Sequence, residues 1–279
     1  MSVSLVSLRC RISDRALGPV RGVEAFTPLV AERLGVVPRA IGSVVEPFEA
    51  GWAEDLASAR GCLLEAGGQV EDALEAGRVP VLVSSDCALA LTTLPTVARL
   101  RPDARVLWLD AHGDFNTPAT TASGYLGGMG LAGACGAWDS GFDGEMPAER
   151  VVLAGVRDLE AAEREALEGS AVTVIGSSLE TLVYVKNALD RAPVFVHLDL
   201  DVLDPQDFPA WIPAEGGLRG EKLYDLLEAV SEECELIGLE VTVTCGPTDR
   251  LEIQAATSTA LHAMGPLFDA VTRGARVSH

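Results

Sequence analysis

The stretch "LWLDAHGDFNTP", residues 107–118, places three polar side chains at alternate positions directly after an apolar run. Alternate residues of an extended chain share one face, so Asp110, His112 and Asp114 can converge just beyond the end of a strand. Carboxylate and imidazole groups that converge on one point are typical of a cation site. The stretch therefore predicts a buried strand with metal ligands at its carboxyl end.

A second stretch, "PVFVHLDLDVLDP", residues 193–205, repeats this arrangement. Asp199 and Asp201 alternate at the end of its apolar run, and Asp204 with the following proline starts a turn. Buried aspartates are rare unless they are paired or bind metal. Turn formation accounts for Asp204, but capping does not account for the aspartates at the two strand ends, since none of them heads a helix. We therefore expect one site that draws ligands from both strands.

Eight apolar or β-branched runs alternate with alanine-, leucine- and glutamate-rich segments of helical length. The runs are "VSLVSL", "AIGSVV", "VPVLVS", "ARVLWLD", "RVVLAGV", "AVTVIG", "PVFVHLD" and "LIGLEVTV". Strands that alternate with helices predict an α/β fold, with a mostly parallel eight-stranded sheet between two layers of helices. No linker or internal repeat interrupts the series, so we predict a single domain over residues 1–279. Ligands of such sheets bind at the carboxyl ends of the strands, where both motifs lie.

The composition restricts the partners and the compartment. The 279 residues carry a formal net charge of -20, which disfavours nucleic acid and anionic membranes and suits a metal or a cationic substrate. No apolar stretch approaches the roughly 20 residues that cross a bilayer, and no signal peptide is recognisable. The six cysteines show no CxxC spacing. Together these features predict a reduced, cytoplasmic protein rather than a disulfide framework.

The motifs "DAHGD" (110–114) and "DLDVLDP" (199–205) resemble the two signature motifs of the ureohydrolase family, which includes arginase and agmatinase. The resemblance implies the three-layer arginase-like fold, an amidinohydrolase activity and two Mn²⁺ ions per chain that activate water to attack a guanidinium carbon. Both ions would share Asp110 and Asp199. Asp114 would complete the ligands of one ion, and His112 and Asp201 those of the other. Independently of the family, carboxylate oxygens with few imidazoles favour manganese.

The chain departs from the family in "VLVSSDCALALTTLP", residues 81–95. Other members have "GGDH" here, with the histidine on the first metal, whereas this chain has Cys87 at that position. Cys87 is then a thiolate ligand, a weak ligand if it stays protonated, or a small buried hydrophobic residue. A thiolate would add negative charge to four aspartates that already balance two divalent ions. It should raise the pKa of the shared water and suits manganese poorly, which disfavours an ordinary arginase.

The substrate positions resemble those of family members that act on amino acids. Asn116 and Ser123 match positions that hold an α-carboxylate, and Tyr125 replaces a further asparagine of that group. Glu160 and Glu163 match acidic positions that hold the α-amino group through a charge-assisted contact. Without the resemblance, the two glutamates fit a solvated helix start equally well. The set favours a guanidino amino acid over a decarboxylated amine.

Three further positions bear on catalysis. Glu240, in "GLEVTV", matches the family carboxylate that hydrogen-bonds the guanidinium, and we predict Glu240 and Asp114 as catalytic residues. Gly127 stands where arginases have a loop histidine that moves protons. His197 stands two residues before Asp199, where the family usually has serine, and it is either a partner of the metal ligands or a core histidine.

A substrate that is more easily hydrolysed would be compatible both with Cys87 at the metal position and with Gly127 in place of the loop histidine. These features and the loop "GDFNTP…GYLGGM" resemble a small branch of the family that hydrolyses Nω-hydroxy-L-arginine to hydroxyurea and L-ornithine in the D-cycloserine pathway. The N-hydroxyl withdraws electrons and can itself relay a proton. Two alternatives stay open: an arginase or other guanidino hydrolase, and a non-catalytic binding protein that has lost one metal. The resemblance also implies a homo-oligomer, a trimer or hexamer.

Overall fold

The strands form one sheet at the centre of the computed structural model, which describes residues 2–276. They are β1 (Val3–Leu8), β2 (Arg39–Ile41), β3 (Val79–Ser84), β4 (Arg105–Leu109), β5 (Val151–Val156), β6 (Thr173–Gly176), β7 (Val194–Asp199) and β8 (Leu236–Thr242). The order is β2-β1-β3-β8-β7-β4-β5-β6, and all these pairings are parallel. The predicted sheet is therefore confirmed. The second strand ends earlier than the run "AIGSVV", because Gly42, with a φ of 71°, turns the chain.

Helices cover both faces of the sheet. Within residues 2–276 they are α1 (Leu17–Leu34), α2 (Trp52–Glu75), α3 (Ala90–Leu100), α4 (Gly130–Ala134), α5 (Ala161–Glu168), α6 (Thr181–Leu189), α7 (Gly220–Glu233), α8 (Arg250–Ala263) and α9 (Gly265–Arg276). Helices α1, α6, α7, α8 and α9 share one hydrophobic core with the sheet, and α2 to α5 share the other. This is the predicted three-layer arrangement. None of these helices is long and apolar enough to cross a membrane.

The inner strands are buried on both faces. Every residue of β3, β5, β7 and β8 is buried, which is why these strands appear in the sequence as continuous apolar runs rather than alternating ones. Polar residues inside them, such as His197 and Glu240, are exceptions that need partners.

The sheet order brings the sequence motifs to one edge. Strands β3, β8, β7 and β4 are neighbours, and the residues that follow their carboxyl ends come together although they are distant in sequence. After β3, the side chain of Asp86 accepts a hydrogen bond from the backbone N–H of Ala88 (2.9 Å). This contact starts the short 3₁₀-helix Cys87–Leu89 and turns Cys87 towards the ends of the other strands.

Two of the six cysteines are paired. Cys10 and Cys62 form a disulfide, with Cα atoms 6.5 Å apart, and this one pair is not the disulfide framework that the sequence argues against. The two residues are separated by 52 positions, and nothing in their spacing shows that α2 packs beside the end of β1. The four other cysteines, all in the described part of the chain, are free.

Candidate active site

A cavity opens where β3, β4, β7 and β8 end. Its wall contains every site residue that the sequence analysis selected, except Glu240. These residues are Cys87, Asp110, His112, Asp114, Asn116, Ser123, Tyr125, Glu160, Glu163, Asp199 and Asp201. The structure thus brings side chains from separate segments of the sequence together at the carboxyl edge of the sheet.

Asp110 directly follows β4 and is buried. Its Oδ2 accepts a hydrogen bond from the Trp108 indole (3.0 Å), and its Oδ1 accepts one from the backbone N–H of His112 (2.7 Å). Burial, and then the charge of Asp201, raise the pKa of Asp110 above its usual range. The hydrogen bonds therefore fix the direction of the carboxylate, while burial and Asp201 make its negative charge unfavourable. A nearby cation would stabilise that charge.

Asp199 ends β7 and is held by three donors. Its Oδ1 accepts hydrogen bonds from the Thr244 hydroxyl (2.6 Å) and the backbone N–H of Asp201 (2.8 Å). Its Oδ2 accepts one from the Cys87 thiol (3.2 Å), whose sulfur also lies 3.3 Å from Thr242 Oγ1. Burial, and then the charges of the neighbouring aspartates, raise the pKa of the thiol well above its usual range. Without a cation, Cys87 is a neutral hydrogen-bond donor to Asp199.

His112 lies between two carboxylates. Its Nδ1 is 3.0 Å from Asp201 Oδ2 and 3.5 Å from Asp110 Oδ1. Burial by itself lowers the pKa of His112, but the two carboxylates outweigh burial and raise the pKa to about 12. Burial likewise raises the pKa of Asp201, but the contact with His112 outweighs it and the net shift is downward. A metal binds only the deprotonated imidazole, so a cation that binds this nitrogen displaces its proton.

Asp114 has a left-handed backbone conformation with a φ of 47°, which costs a residue other than glycine roughly 1–2 kcal/mol. Its buried carboxylate lies on the cavity wall. Burial, and then the charge of Asp110, raise the pKa of Asp114 well above its usual range. Within residues 2–276, Asp114 Oδ2 has no hydrogen-bond partner. Backbone strain together with an unpaired buried atom is typical of a functional site.

The donor set fits two divalent cations. Four buried aspartates would carry a charge equal and opposite to that of two such ions, and carboxylate oxygens with few imidazoles suit Mn²⁺. Besides Asp114 Oδ2, the ring atom His112 Nε2 is buried without a partner among the described residues. Two groups of ligand atoms each lie within 4.8 Å of one another: those of Asp110, His112 and Asp201, and those of Cys87, Asp110 and His197.

Arg157, which the sequence analysis did not select, positions the loop that carries Asp201. Its guanidinium donates hydrogen bonds to the backbone carbonyls of Asp201 (2.7 Å), Leu203 (3.1 Å) and Ala214 (2.9 Å). These contacts hold the short 3₁₀-helix Leu200–Val202 against the end of β5. The sequence signal, a basic residue directly after an apolar run, is too common to reveal this role.

Glu163 is not a solvated residue of a helix start, since its relative exposure is 4%. Its Oε1 accepts a hydrogen bond from the backbone N–H of Phe115 (2.9 Å), and burial raises its pKa to about 7. A Cβ atom at Gly113 would lie 2.7 Å from this oxygen, so the glycine of "DAHGD" permits the contact. Glu160, which precedes α5, lies with its Oε2 3.3 Å from Asn116 Nδ2. The two glutamates therefore form an acidic part of the cavity wall.

Tyr125 fills the space next to Gly127. A Cβ atom at Gly127 would lie 2.5 Å from the Tyr125 ring, so the present conformation leaves no room for a larger residue there. The ring packs against Trp211 with centroids 5.7 Å apart, and the hydroxyl donates to Asp86 Oδ2 (3.3 Å). The tyrosine therefore stands where a side chain from position 127 would otherwise lie.

Five residues on the wall were not selected from the sequence: Gly128, Asp158, Trp211, Ile212 and Thr244. Thr244 contacts Asp199, and Asp158 Oδ2 lies 4.0 Å from His112 Nε2. Asp158 and Thr244 lie two residues beyond the ends of β5 and β8, and this position was the signal available for them. Trp211 lies in an irregular segment and has no comparable signal.

Glu240 lies outside the cavity wall, and its surroundings do not support the predicted contact with a guanidinium. The residue is fully buried. Its Oε1 lies 2.7 Å from His197 Nδ1, and its Oε2 accepts a hydrogen bond from the Thr93 hydroxyl (2.7 Å). Thr244, four residues further along the chain, reaches the cavity instead. Glu240 is linked to the site through its contact with His197.

The fold and the site together define a metal-dependent hydrolase of the arginase type. A model of the arginase family matches residues 43–265, and the chain belongs to that family. The resemblance inferred from the two aspartate motifs is thereby confirmed, as is the predicted class of enzyme, an amidinohydrolase of this family.

Several relatives cover most of the chain. The N(omega)-hydroxy-L-arginine amidinohydrolase of Streptomyces lavendulae is 37% identical over 268 residues, which span 96% of this chain and 98% of that protein. The arginase of Bacillus caldovelox is 31% identical over 71% of each chain. The crystal structure of arginase from Bacillus cereus superposes with a TM-score of 0.80 at 26% identity, over 96% of this chain and 98% of that one. The predicted arginase-like fold is therefore confirmed.

Proposed function

We propose that this chain hydrolyses Nω-hydroxy-L-arginine to hydroxyurea and L-ornithine, with two Mn²⁺ ions per chain. One water is consumed: the bond between the guanidinium carbon and the ornithine nitrogen breaks, the carbon keeps the water oxygen, and the nitrogen leaves as an amine. The observation that carries the proposal is the cluster of four buried aspartates and His112 in a cavity that two glutamates also line. The likeness to a hydroxyarginine amidinohydrolase over 96% of the chain supports the choice of substrate.

The metal ligands would come from the ends of β4 and β7. Asp110 and Asp199 would help to hold the ions through carboxylates that hydrogen bonds from neighbouring donors orient. Asp114, His112 and Asp201 would complete the two sets, and Cys87 lies beside Asp199. Two such ions would supply a nucleophile at neutral pH by lowering the pKa of water. Asp114 Oδ2, which no described residue engages, is available to accept a proton from that water.

The other end of the cavity suits an amino acid. Glu160 and Glu163 present carboxylates to an α-ammonium group, and such charge-assisted contacts are stronger than neutral hydrogen bonds. Asn116 and Ser123 offer an amide and a hydroxyl to the α-carboxylate, and both line the cavity. A decarboxylated amine such as agmatine would keep an ammonium group for the two glutamates but lose the contacts with Asn116 and Ser123.

Tyr125 favours a hydroxylated substrate over arginine. Its ring occupies the space at Gly127, where arginases carry a histidine that moves protons. Burial raises the pKa of Tyr125 well above its usual range, so its phenol stays protonated at neutral pH and does not replace that histidine as a base. The N-hydroxyl of the substrate lowers the guanidinium pKa and can relay a proton itself. The N-hydroxyl of the substrate then supplies the proton-transfer group that the loop around Gly127 lacks.

Turnover of three compounds by the manganese-loaded protein tests the proposal. We expect kcat/KM for hydroxyarginine to exceed that for L-arginine by about 100-fold or more, the usual contribution of a general acid–base group. Agmatine should be the poorest substrate. A preference for arginine would instead support an arginase, the second candidate, which the 31% identity to the Bacillus caldovelox enzyme favours. Two bound ions without turnover of any compound would indicate a non-catalytic relative.

The D-cycloserine pathway is our proposed biological context, and it rests on the same resemblance. Hydroxyurea, rather than urea, is the product that distinguishes this branch of the family. Detection of hydroxyurea by mass spectrometry in the turnover assay would support that context. Release of urea as the sole product would remove the reason for it.

A further inference from the structure

His197 lies fully buried beneath the candidate metal centre. It stands two residues before Asp199 on β7, so both side chains leave the strand on the same face, with His197 one layer deeper. Its side chain is 0% exposed. A polar group at such a depth is expected to have a partner for each of its polar atoms.

One ring nitrogen of His197 has a partner and the other has none. Nδ1 lies 2.7 Å from Glu240 Oε1, and Glu240 Oε2 is engaged by the Thr93 hydroxyl (2.7 Å). A carboxylate only accepts hydrogen bonds, so we assign the ring hydrogen to Nδ1. Nε2 then presents a lone pair, and among residues 2–276 it has no hydrogen-bond partner.

The ring of His197 adjoins the metal ligands. A ring nitrogen of His197, the Cys87 sulfur and an Asp110 oxygen all lie within 4.8 Å of one another. The ring stacks on Trp108 with centroids 3.5 Å apart and planes 7° apart, and the Trp108 indole donates to Asp110. Stacking on Trp108 therefore fixes the plane of the imidazole. The contact between Nδ1 and Glu240 fixes which ring nitrogen points towards the metal ligands.

Histidines that bind metal characteristically donate their other ring N–H to a carboxylate, which sets the tautomer and the orientation of the ring. The pair of His197 and Glu240 has this arrangement. We propose that His197 Nε2 is a ligand of the first metal ion and replaces the histidine that is absent at position 87. This inference rests on the metal centre of the proposed function.

The proposal also explains how Cys87 is tolerated. If His197 supplies the nitrogen, the Cys87 thiol can remain the hydrogen-bond donor to Asp199 that the structure shows. The ligands are then four aspartates and two neutral imidazoles, His112 and His197, whose total charge balances two divalent ions. A thiolate at Cys87 would break that balance.

The first experiment leaves His197 unchanged. The chain contains 4 histidines, so nitrogen signals on manganese can be assigned by removing His112. The His112→Asn variant would be loaded with one Mn²⁺ per chain, and electron spin-echo modulation would be compared between samples with ¹⁴N- and ¹⁵N-histidine. We expect a histidine nitrogen coupling to persist, because His197 still binds. Its complete loss in this variant would overturn the proposal.

The second experiment measures Mn²⁺ affinity by calorimetry. His197→Ser, which introduces the residue usual in the family, should lower the affinity for the first ion by about 100-fold or more. Glu240→Gln, the comparison for a group that only orients a ligand, should lower it by about 10–100-fold. Adding Cys87→His to His197→Ser should return the affinity to within about tenfold of wild type, because an imidazole is restored. Thermal melting without metal shows whether each variant is folded.

Failure of this inference and failure of the metal centre give different results. Wild-type protein that binds fewer than two Mn²⁺ ions would refute the metal centre and this inference with it. Wild-type protein that binds two ions, together with a His197→Ser variant that binds them equally tightly, would refute only the role of His197. A loss of affinity that Cys87→His does not rescue would also count against it.

Discussion

Replacing Thr244 by valine isolates one hydrogen bond at the metal centre. The Thr244 hydroxyl donates to Asp199 Oδ1 across 2.6 Å, and valine keeps the branched shape while it removes this donor. A hydrogen bond to a charged group contributes about 1.5–3 kcal/mol, which corresponds to roughly 10–150-fold in an equilibrium constant. Loss of a group that orients a metal ligand typically costs about 10–100-fold in metal affinity. The two estimates agree, so we expect Thr244→Val to weaken Mn²⁺ binding by about 10–100-fold.

Calorimetric titration with Mn²⁺, followed by kcat/KM at saturating metal, would measure the effect. Because the variant loses an orienting contact rather than a ligand, saturating Mn²⁺ should restore much of the activity. Thr242→Val is the near control: its hydroxyl contacts the neutral Cys87 sulfur at 3.3 Å, so it should cost less. Thr257→Val is the remote control, since Thr257 is buried on α8 and bonds the Ile253 carbonyl (2.8 Å). Unchanged affinity in Thr244→Val, or an equal loss in Thr257→Val, would refute the reasoning.

Four further predictions concern the ligands and the cavity wall. Asp199→Asn should abolish binding of both ions, because the proposed centre relies on this carboxylate for both, without a change in circular dichroism; two ions per chain by mass spectrometry would contradict this. Glu160→Gln should reduce kcat/KM for hydroxyarginine by a factor that corresponds to about 1.5–3 kcal/mol while metal content stays constant; an unchanged kcat/KM would exclude an α-amino contact. The pKa of Glu163 is about 7, so its charge is lost as the pH falls through 7; KM for hydroxyarginine should rise there, and in Glu163→Gln this limb of the pH profile should be flat. Gly127→Ala should displace the Tyr125 ring and destabilise the fold by about 1–3 kcal/mol; denaturant melts should show recovery when Tyr125→Ser is added, and no recovery would mean that another contact is responsible.

The sheet could be predicted because the composition of each short segment by itself identifies a buried strand. Strands β3, β5, β7 and β8 are buried on both faces, so each is recognisable as a short continuous apolar run between segments of helical length. The error at β2 also has a local cause. The run "AIGSVV" is mostly apolar, but the strand stops at Ile41 because Gly42 takes a φ of 71°, and the sequence does not specify which conformation a glycine adopts.

The candidate site was predictable only where the signal lies at a strand end. Asp110 and Asp199 stand at the ends of β4 and β7, and the rule that ligands bind there is enough to select them. Glu240 shows the limit of the same reasoning. Two residues of a strand span about 6.6 Å, so an assignment that is wrong by one repeat of the alternation moves a side chain from the cavity into the core. Glu240 is buried against His197 and Thr93 because it lies deep within β8. The alternation of residues along a strand shows which face a side chain is on, but not how far it lies from the strand end.

Positions 87, 127 and 197, where the chain departs from the family pattern, are linked in space. Cys87 has a ligand atom in the same group as His197, and Tyr125, whose ring occupies the space at Gly127, donates to Asp86, the residue before Cys87. A change at one of these positions therefore acts on the surroundings of the others. Under the proposed role of His197, Cys87→His alone would add an imidazole to a centre that already has one there, and Tyr125 would still fill the space at Gly127. The departures act together, so reversing one of them should not yield an ordinary arginase.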